Sequence, residues 1–165
     1  MTLAHATPTT TLPRDELFAF YDAYFEALDE LRLEDWTEFF VDDCVYRIIS
    51  RENYDAGLGL CIMQGDSKGM LVDRVRAIRH TQVFAPRFYR RFYSGLRISG
   101  EVGGEFHVRQ NIMMVQTLVE KASEIHGCGI GRDRLVREPS GGLKFVERTI
   151  VLDTWLINNS VIYPF

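Results

Sequence analysis

The stretch Leu143–Ile157 constrains this chain more than any other. It contains no Gly or Pro and is dense in β-branched and aromatic side chains. It therefore reads as one long strand, and at about 3.4 Å per residue it spans a small domain. Simple alternation puts Phe145, Val151, Trp155 and Ile157 on one face and Val146, Ile150, Leu152 and Leu156 on the other. A strand with water on one side alternates apolar with polar residues, so both faces of this central strand are expected to be covered, one of them by a helix or another subunit. The candidate core residues are Trp36, Phe39, Val151 and Trp155.

With 165 residues, 46% of them hydrophobic, the chain can bury about 70% of its unfolded surface as one domain without a disulfide or metal. Its formal charge of −4 argues against a nucleic-acid partner. Sixteen of its cations are Arg and three are Lys (Lys68, Lys121, Lys144). Arg is the cation enriched at protein interfaces and Lys the one depleted there. Cys44, Cys61 and Cys128 are odd in number and lack a C-x-x-C spacing, which fits reduced thiols in a cytoplasmic protein. No run approaches the ~18 to 20 apolar residues of a membrane span.

Residues 1–13 read as a flexible, Thr-rich arm and residues 14–165 as a single domain. Leu17, Phe20, Tyr21, Tyr24, Leu28 and Leu31 recur at helical spacing, and a shorter helix is expected over Glu34–Phe40. Asp42 and Asp43 then turn the chain into a strand, Cys44–Ser50. Arg51–Gly57 reads as a loop and Leu58–Gln64 as a short strand. Asp66 or Ser67 caps a helix running to about Arg79. Three further strands, Phe88–Ser99, Glu105–Leu118 and Ala122–Arg137, are joined by hairpin-length links. Helices first and an antiparallel meander after is the α+β arrangement, with N-terminal helices packed on a strongly curved antiparallel or mixed sheet. Gly127, Gly129 and Gly131 clear one face, letting the sheet coil sharply or another backbone come close.

The segments Phe39–Arg47, Gly69–Val75 and Glu147–Asp153, in that order, resemble the small (beta) subunit of aromatic-ring-hydroxylating dioxygenases. The likeness covers residues 14 to 165, and Glu52–Leu58 with Phe84–Arg91 is most similar to the salicylate 5-hydroxylase branch, which acts on an aromatic carboxylate. The resemblance implies a cone fold similar to nuclear transport factor 2. It also implies a supporting, non-catalytic role in a hexamer of three large (alpha) and three small subunits, served by ferredoxin and reductase. The Rieske [2Fe-2S] cluster and mononuclear Fe(II) are then expected in the large subunit, with no cofactor in this chain.

A Rieske centre needs two Cys and two His on paired loops, a pattern absent here. A mononuclear oxygenase iron needs two His and a carboxylate, and the histidines are His5, His80, His107 and His126. A turn at Val119–Lys121 sets His126 near Met114, roughly 24 Å along the sheet from His107, so one site cannot use both. Gly57-x-Gly59 leads into a strand, not a helix, and fails the dinucleotide context. Arg87–Arg97 is expected to offer Arg87, Arg90, Arg91, Tyr93 and Arg97 to a subunit interface, as planar donors and aromatic anchors. The rival reading is a stand-alone isomerase or dehydratase using Tyr21, Asp22, Tyr46 or His107 as acid–base groups.

Overall fold

The computed structural model describes residues 12–81, 83–157 and 160–165. Residues 1–11 of the expected arm, with His5, lie outside that set, and Leu12 is already buried in the core. Helix α1 (Arg14–Asp29) starts after Pro13, with Asp15 and Glu16 at the positive end of its dipole. It buries Leu17, Tyr21, Tyr24, Phe25 and Leu28. Helix α2 (Leu33–Thr37) is shorter than Glu34–Phe40 suggests, because Phe40 already belongs to strand β1 (Phe40–Ser50). Asp42 and Asp43 do not turn the chain. They sit in β1 where its pairing shifts register between Phe40 and Val45, so a bulge absorbs them.

The expected loop after Ser50 is a helical turn, α3 (Arg51–Asp55), because the Ser50 hydroxyl accepts from the Asn53 N–H at 3.3 Å. Of the strand expected over Leu58–Gln64 only β2 (Met63–Gly65) forms, leaving Leu58, Leu60 and Ile62 exposed. Ser67 caps α4 (Lys68–His80), whose Leu71, Val75 and Ile78 face the core. Strands β3 (Arg87–Val102), β4 (Glu105–Leu118), β5 (Ser123–Arg137) and β6 (Leu143–Leu152) form the antiparallel meander. The sheet order is β2-β1-β6-β5-β4-β3, and β1 runs parallel to β6, so the sheet is mixed and open.

The central position of β6 holds, but its length does not. The strand stops at Leu152 because the Cys128 N–H of β5 turns to the Thr154 hydroxyl (2.9 Å), while the Asp153 carboxylate pairs with Arg51. Trp155 consequently lies beyond the strand and is 88% exposed, outside the core. Trp36 and Val151 are buried, and Phe39 packs half-buried against the core. Simple alternation also misplaces Phe145. A register shift between Arg134 and Leu135 in the β5–β6 pairing brings Phe145 onto the same inner face as Arg148, Ile150 and Leu152.

The three glycines of β5 admit neighbours. A Cβ on Gly127 would meet the Phe165 ring at 2.8 Å, one on Gly131 the Gln110 side chain at 2.9 Å, and one on Gly129 the Val151 carbonyl oxygen at 2.1 Å. Only at Gly129 is the obstacle the backbone of the adjacent strand, which cannot move aside. We expect Gly129→Ala to cost about 3 kcal/mol or more, at or above the usual range for overpacking. Gly59→Ala, where nothing lies within 4 Å, should change stability by under about 0.5 kcal/mol. Urea unfolding of the two variants checks both values.

Candidate functional site

Period-two alternation along β5 carries its inner face from Gly131 to Asp133, and the same face of β6 presents Arg148 directly opposite. Both side chains are fully buried, with Arg148 Nη1 2.6 Å from Asp133 Oδ2. Tyr21 of α1 donates its hydroxyl to the same oxygen at 2.6 Å, and Gln110 of β4 donates at 3.2 Å. The Arg148 guanidinium lies over the rings of Tyr24 (4.5 Å), Phe145 (5.2 Å), Phe25 (5.4 Å) and Tyr21 (5.7 Å). Burial pushes the Asp133 carboxyl up to about 6 against the opposing pull of Arg148 and Tyr21, so it is ionised at neutral pH. Burial alone would depress Arg148, yet the Asp133 carboxylate holds it above its ordinary range.

A second buried network ties down residues 160–165. Tyr24 donates to the Phe165 backbone oxygen at 2.8 Å and accepts from Trp36 Nε1 at 3.0 Å. The Tyr46 hydroxyl accepts the Phe165 N–H at 2.9 Å. Arg74 donates to the Val161 and Ile162 carbonyls at 3.0 and 3.1 Å. The inner face is thus filled by the chain itself.

The acid–base candidates do not converge. Tyr21 is spent on Asp133 and Tyr46 on Phe165, burial pushes both hydroxyls up, and Asp22 bonds Tyr93 instead. His107 occupies the opposite face of β4 from Phe106 and Val108, opposite Arg134 in register. His126 is buried at the β4–β5 register shift beside Gly127, the partner of Met114, and His107 lies far along the same ladder. Among the described residues no three His, Cys, Asp or Glu side chains are placed to hold a metal ion, so these residues do not fit a Rieske or mononuclear iron centre.

Strand β3 alternates as the sequence suggests, with Tyr89 and Arg91 buried and Phe88, Arg90 and Phe92 exposed. Its cations divide accordingly. Arg91 is not available to a partner: Nη1 lies 2.6 Å from Asp29 Oδ1, and Nε and Nη2 donate to the Pro164 carbonyl. It braces α1 and the C-terminal residues. Arg87 is half-buried, donating to Gln116 Oε1 at 3.2 Å, and Tyr93 stacks on Phe25 at 5.2 Å with its hydroxyl on Asp22. Arg90 and Arg97 remain exposed.

A mixed sheet with α1, α2 and α4 on its inner face, an interior closed by its own side chains, and an outer face exposed along β3, β4 and β5 beyond the short helix α3 defines a protein that offers surface more than cavity. The chain belongs to the ring hydroxylating beta subunit family, whose profile matches residues 23–159. It is 34% identical over 149 residues to the anthranilate 1,2-dioxygenase small subunit of Burkholderia cepacia, spanning 90% of this chain and 92% of that one. A terephthalate 1,2-dioxygenase beta subunit of a Comamonas species is 26% identical over 149 residues, 90% of this chain and 96% of that one. The crystal structure of a beta subunit assigned to an aromatic-ring-hydroxylating dioxygenase of Novosphingobium aromaticivorans superposes with a TM-score of 0.82. It is 34% identical and covers 91% of this chain and 94% of that one.

Two expectations follow from the buried groups. Arg148→Met or Asp133→Leu alone strands a buried charge and should cost about 3 to 5 kcal/mol, while the double variant recovers most of that loss. A double-mutant cycle in urea reads the coupling. Among the described residues neither ring nitrogen of His126 has a hydrogen-bond partner, and burial, reinforced by Arg87 and Arg91, lowers its pKa from 6.5. The unfolded chain therefore takes up this proton first, and the histidine's contribution to stability is lost as pH falls below 6.5. Asp133, raised in the fold, has the opposite slope. Comparing wild type with His126→Phe cancels that slope, and the stability of wild type relative to the variant should fall as pH is lowered from 7 toward 5.

Proposed function

We propose that this chain is the structural, non-catalytic small subunit of an oxygenase that hydroxylates an aromatic carboxylate, with salicylate 5-hydroxylation as the specific reaction. On this reading it trimerises within an alpha3beta3 hexamer. The large subunits hold the Rieske cluster, the mononuclear Fe(II) and the substrate, and a ferredoxin and reductase deliver electrons to them. The carboxylate class is supported by two relatives whose substrates, anthranilate and terephthalate, are aromatic carboxylates.

One observation carries the supporting role: a filled interior is paired with an outer sheet face left exposed along β3, β4 and β5. Phe88, Phe92 and Ile125 are 70%, 53% and 64% exposed on that face, beside Arg90. Large apolar groups left uncovered together, with arginine at the edge, mark a contact surface. Arg90 and Arg97 keep their proposed place on that face, while Arg87 and Tyr93 alternate to the other side of β3 with Arg91, which leaves the set.

The test is co-expression with the large subunit of Arg90→Ala, Phe92→Ala. Both side chains are exposed, so the fold should survive and assembly should weaken. Turnover normalised to iron in the assembled fraction should stay within a few-fold of wild type, and the hydroxylated position should not move. Normal assembly with turnover a hundredfold lower, or a shifted hydroxylation site, would show that this chain shapes the active site.

A further inference from the structure

We propose that the depression between α4, the link from α4 into β3 and the residues that follow β6 binds a small aromatic carboxylate, with Arg74 receiving the carboxylate and Trp155 and Phe84 flanking the ring. Its volume is about 530 Å³, and Ile62, Arg74, Val83, Phe84, Trp155 and Ile157 line it. That volume is typical of small-molecule sites, about 300 to 1,000 Å³, which are walled by apolar and aromatic side chains and oriented by a few polar groups. Its walls share no residue with the outer-face patch of Phe88, Phe92, Ile125 and Arg90, so the two surfaces are independent.

Arg74 supplies the charge. Of the four Lys and Arg residues of α4, Lys68 pairs with Glu38 at 2.7 Å, Arg76 with Asp73 at 3.0 Å and Arg79 with Glu34 at 2.9 Å. Among the described residues no carboxylate lies within salt-bridge distance of Arg74, and the residues outside that set include no Asp or Glu. Arg74 Nη2 donates to the Val161 and Ile162 carbonyls at 3.0 and 3.1 Å, while Nε is buried with no hydrogen-bond partner among the described residues. Two neutral carbonyls hold the guanidinium in place without neutralising it. Burial accordingly lowers the Arg74 pKa from its ordinary value with only Tyr46 opposing, whereas the more deeply buried Arg148 is held high by Asp133. A half-buried cation whose desolvation no carboxylate offsets is stabilised by an incoming anion.

The rest of the lining selects a ring. Trp155 is 88% exposed, and Val83 and Ile62, beside the same depression, are exposed as well. Phe84 is set edge-on against the Tyr163 ring at 5.5 Å, with the Arg87 guanidinium 5.7 Å from its centroid, so its plane is fixed. A flat ring laid against an indole gains area and stacking, and the guanidinium fork matches a carboxylate. One ligand of this kind covers exposed apolar surface and pairs the lone cation together. Among the described residues lining the depression none is Asp, Glu, His or Cys, so nothing there repels the anion and no acid–base pair there would turn it over.

Calorimetric titration of the full chain with benzoate tests this, alongside the emission of Trp155, the exposed member of the chain's two tryptophans. Benzoate should saturate one site per chain with a Kd at or below about 1 mM and shift that emission. Acetate, which lacks the ring, and benzyl alcohol, which lacks the charge, should each bind at least about tenfold more weakly. Trp155→Ala changes an exposed side chain, so it should fold as wild type does and lose at least about tenfold in benzoate affinity. Arg74→Gln should lose benzoate binding altogether; because Arg74 also braces Val161 and Ile162, circular dichroism checks its fold, and Trp155→Ala carries the test if that variant misfolds. No saturation by about 10 mM benzoate overturns the proposal, as does unchanged affinity in Trp155→Ala or in folded Arg74→Gln. Acetate binding as well as benzoate would make the depression a general anion site, benzyl alcohol binding as well would make it an apolar patch, and octanoate binding about tenfold tighter would assign it to alkyl acids; each of these also overturns it. None of these readouts involves the large subunit, so the supporting role stands or falls apart from them.

Discussion

The buried pair of Asp133 and Arg148 sets the terms for the rest of the molecule. Taking two charges out of water costs several kcal/mol each, and an ion pair repays this only where the geometry is close and the remaining donors and acceptors are engaged. Here four elements converge on one oxygen, Asp133 Oδ2: β5 and β6 bring the ions face to face, α1 contributes Tyr21 and β4 contributes Gln110, while among the described residues Asp133 Oδ1 and Arg148 Nε and Nη2 have no hydrogen-bond partner. The aromatic rings of Tyr24, Phe25 and Phe145 close over the guanidinium. A one-residue slip of β6 would turn Arg148 to the outer face and leave Asp133 alone in an apolar interior. The pair therefore selects register, which hydrophobic packing alone specifies less sharply when both faces of a strand are apolar.

That register decides what the glycines are for. With β6 held in place, Gly129 lies where the Val151 carbonyl comes within 2.1 Å of an ideal Cβ, and Gly131 faces the Gln110 side chain that serves Asp133. Gly127 opens room for the Phe165 ring, whose backbone is gripped by Tyr24 and Tyr46. The period-two glycines, the ion pair and the docking of residues 160–165 are consequences of a single strand alignment.

Much of this was legible in the sequence because period-two and period-3.6 patterns are local. The limits of β4 and the alternation of β3 around Tyr89 and Arg91 follow from the residues themselves. What escaped depends on register shifts and distant partners. Alternation breaks at a bulge after Phe145 that no propensity marks, so a simple count sets Phe145 and Arg148 on opposite faces although both lie on the inner one. Asp133 had a usable signal: two residues after Gly131, it extends the run Gly127, Gly129, Gly131 onto the inner face. Arg91 and Arg90 are adjacent and identical in type and both reach Asp29, but only Arg91 is buried with its guanidinium on the Pro164 carbonyl, 73 residues away, and that separates a brace from an exposed cation. Trp155 was misplaced because the strand signal continues past Leu152, whereas the Thr154 hydroxyl ends the ladder.

The two faces of the sheet therefore carry different kinds of polar chemistry. Among the described residues the buried cations of the inner face pair within the chain, Arg148 with Asp133 and Arg91 with Asp29. On the outer face arginines stand opposite arginines across β3, β4 and β5, with exposed Phe88, Phe92 and Ile125 further along. A fold that needed only its own stability would gain by dispersing those like charges and replacing those exposed apolar groups with polar side chains, since neither holds the monomer together. The inner face accounts for how the chain folds, and the surplus on the outer face is intelligible as surface shaped for another chain.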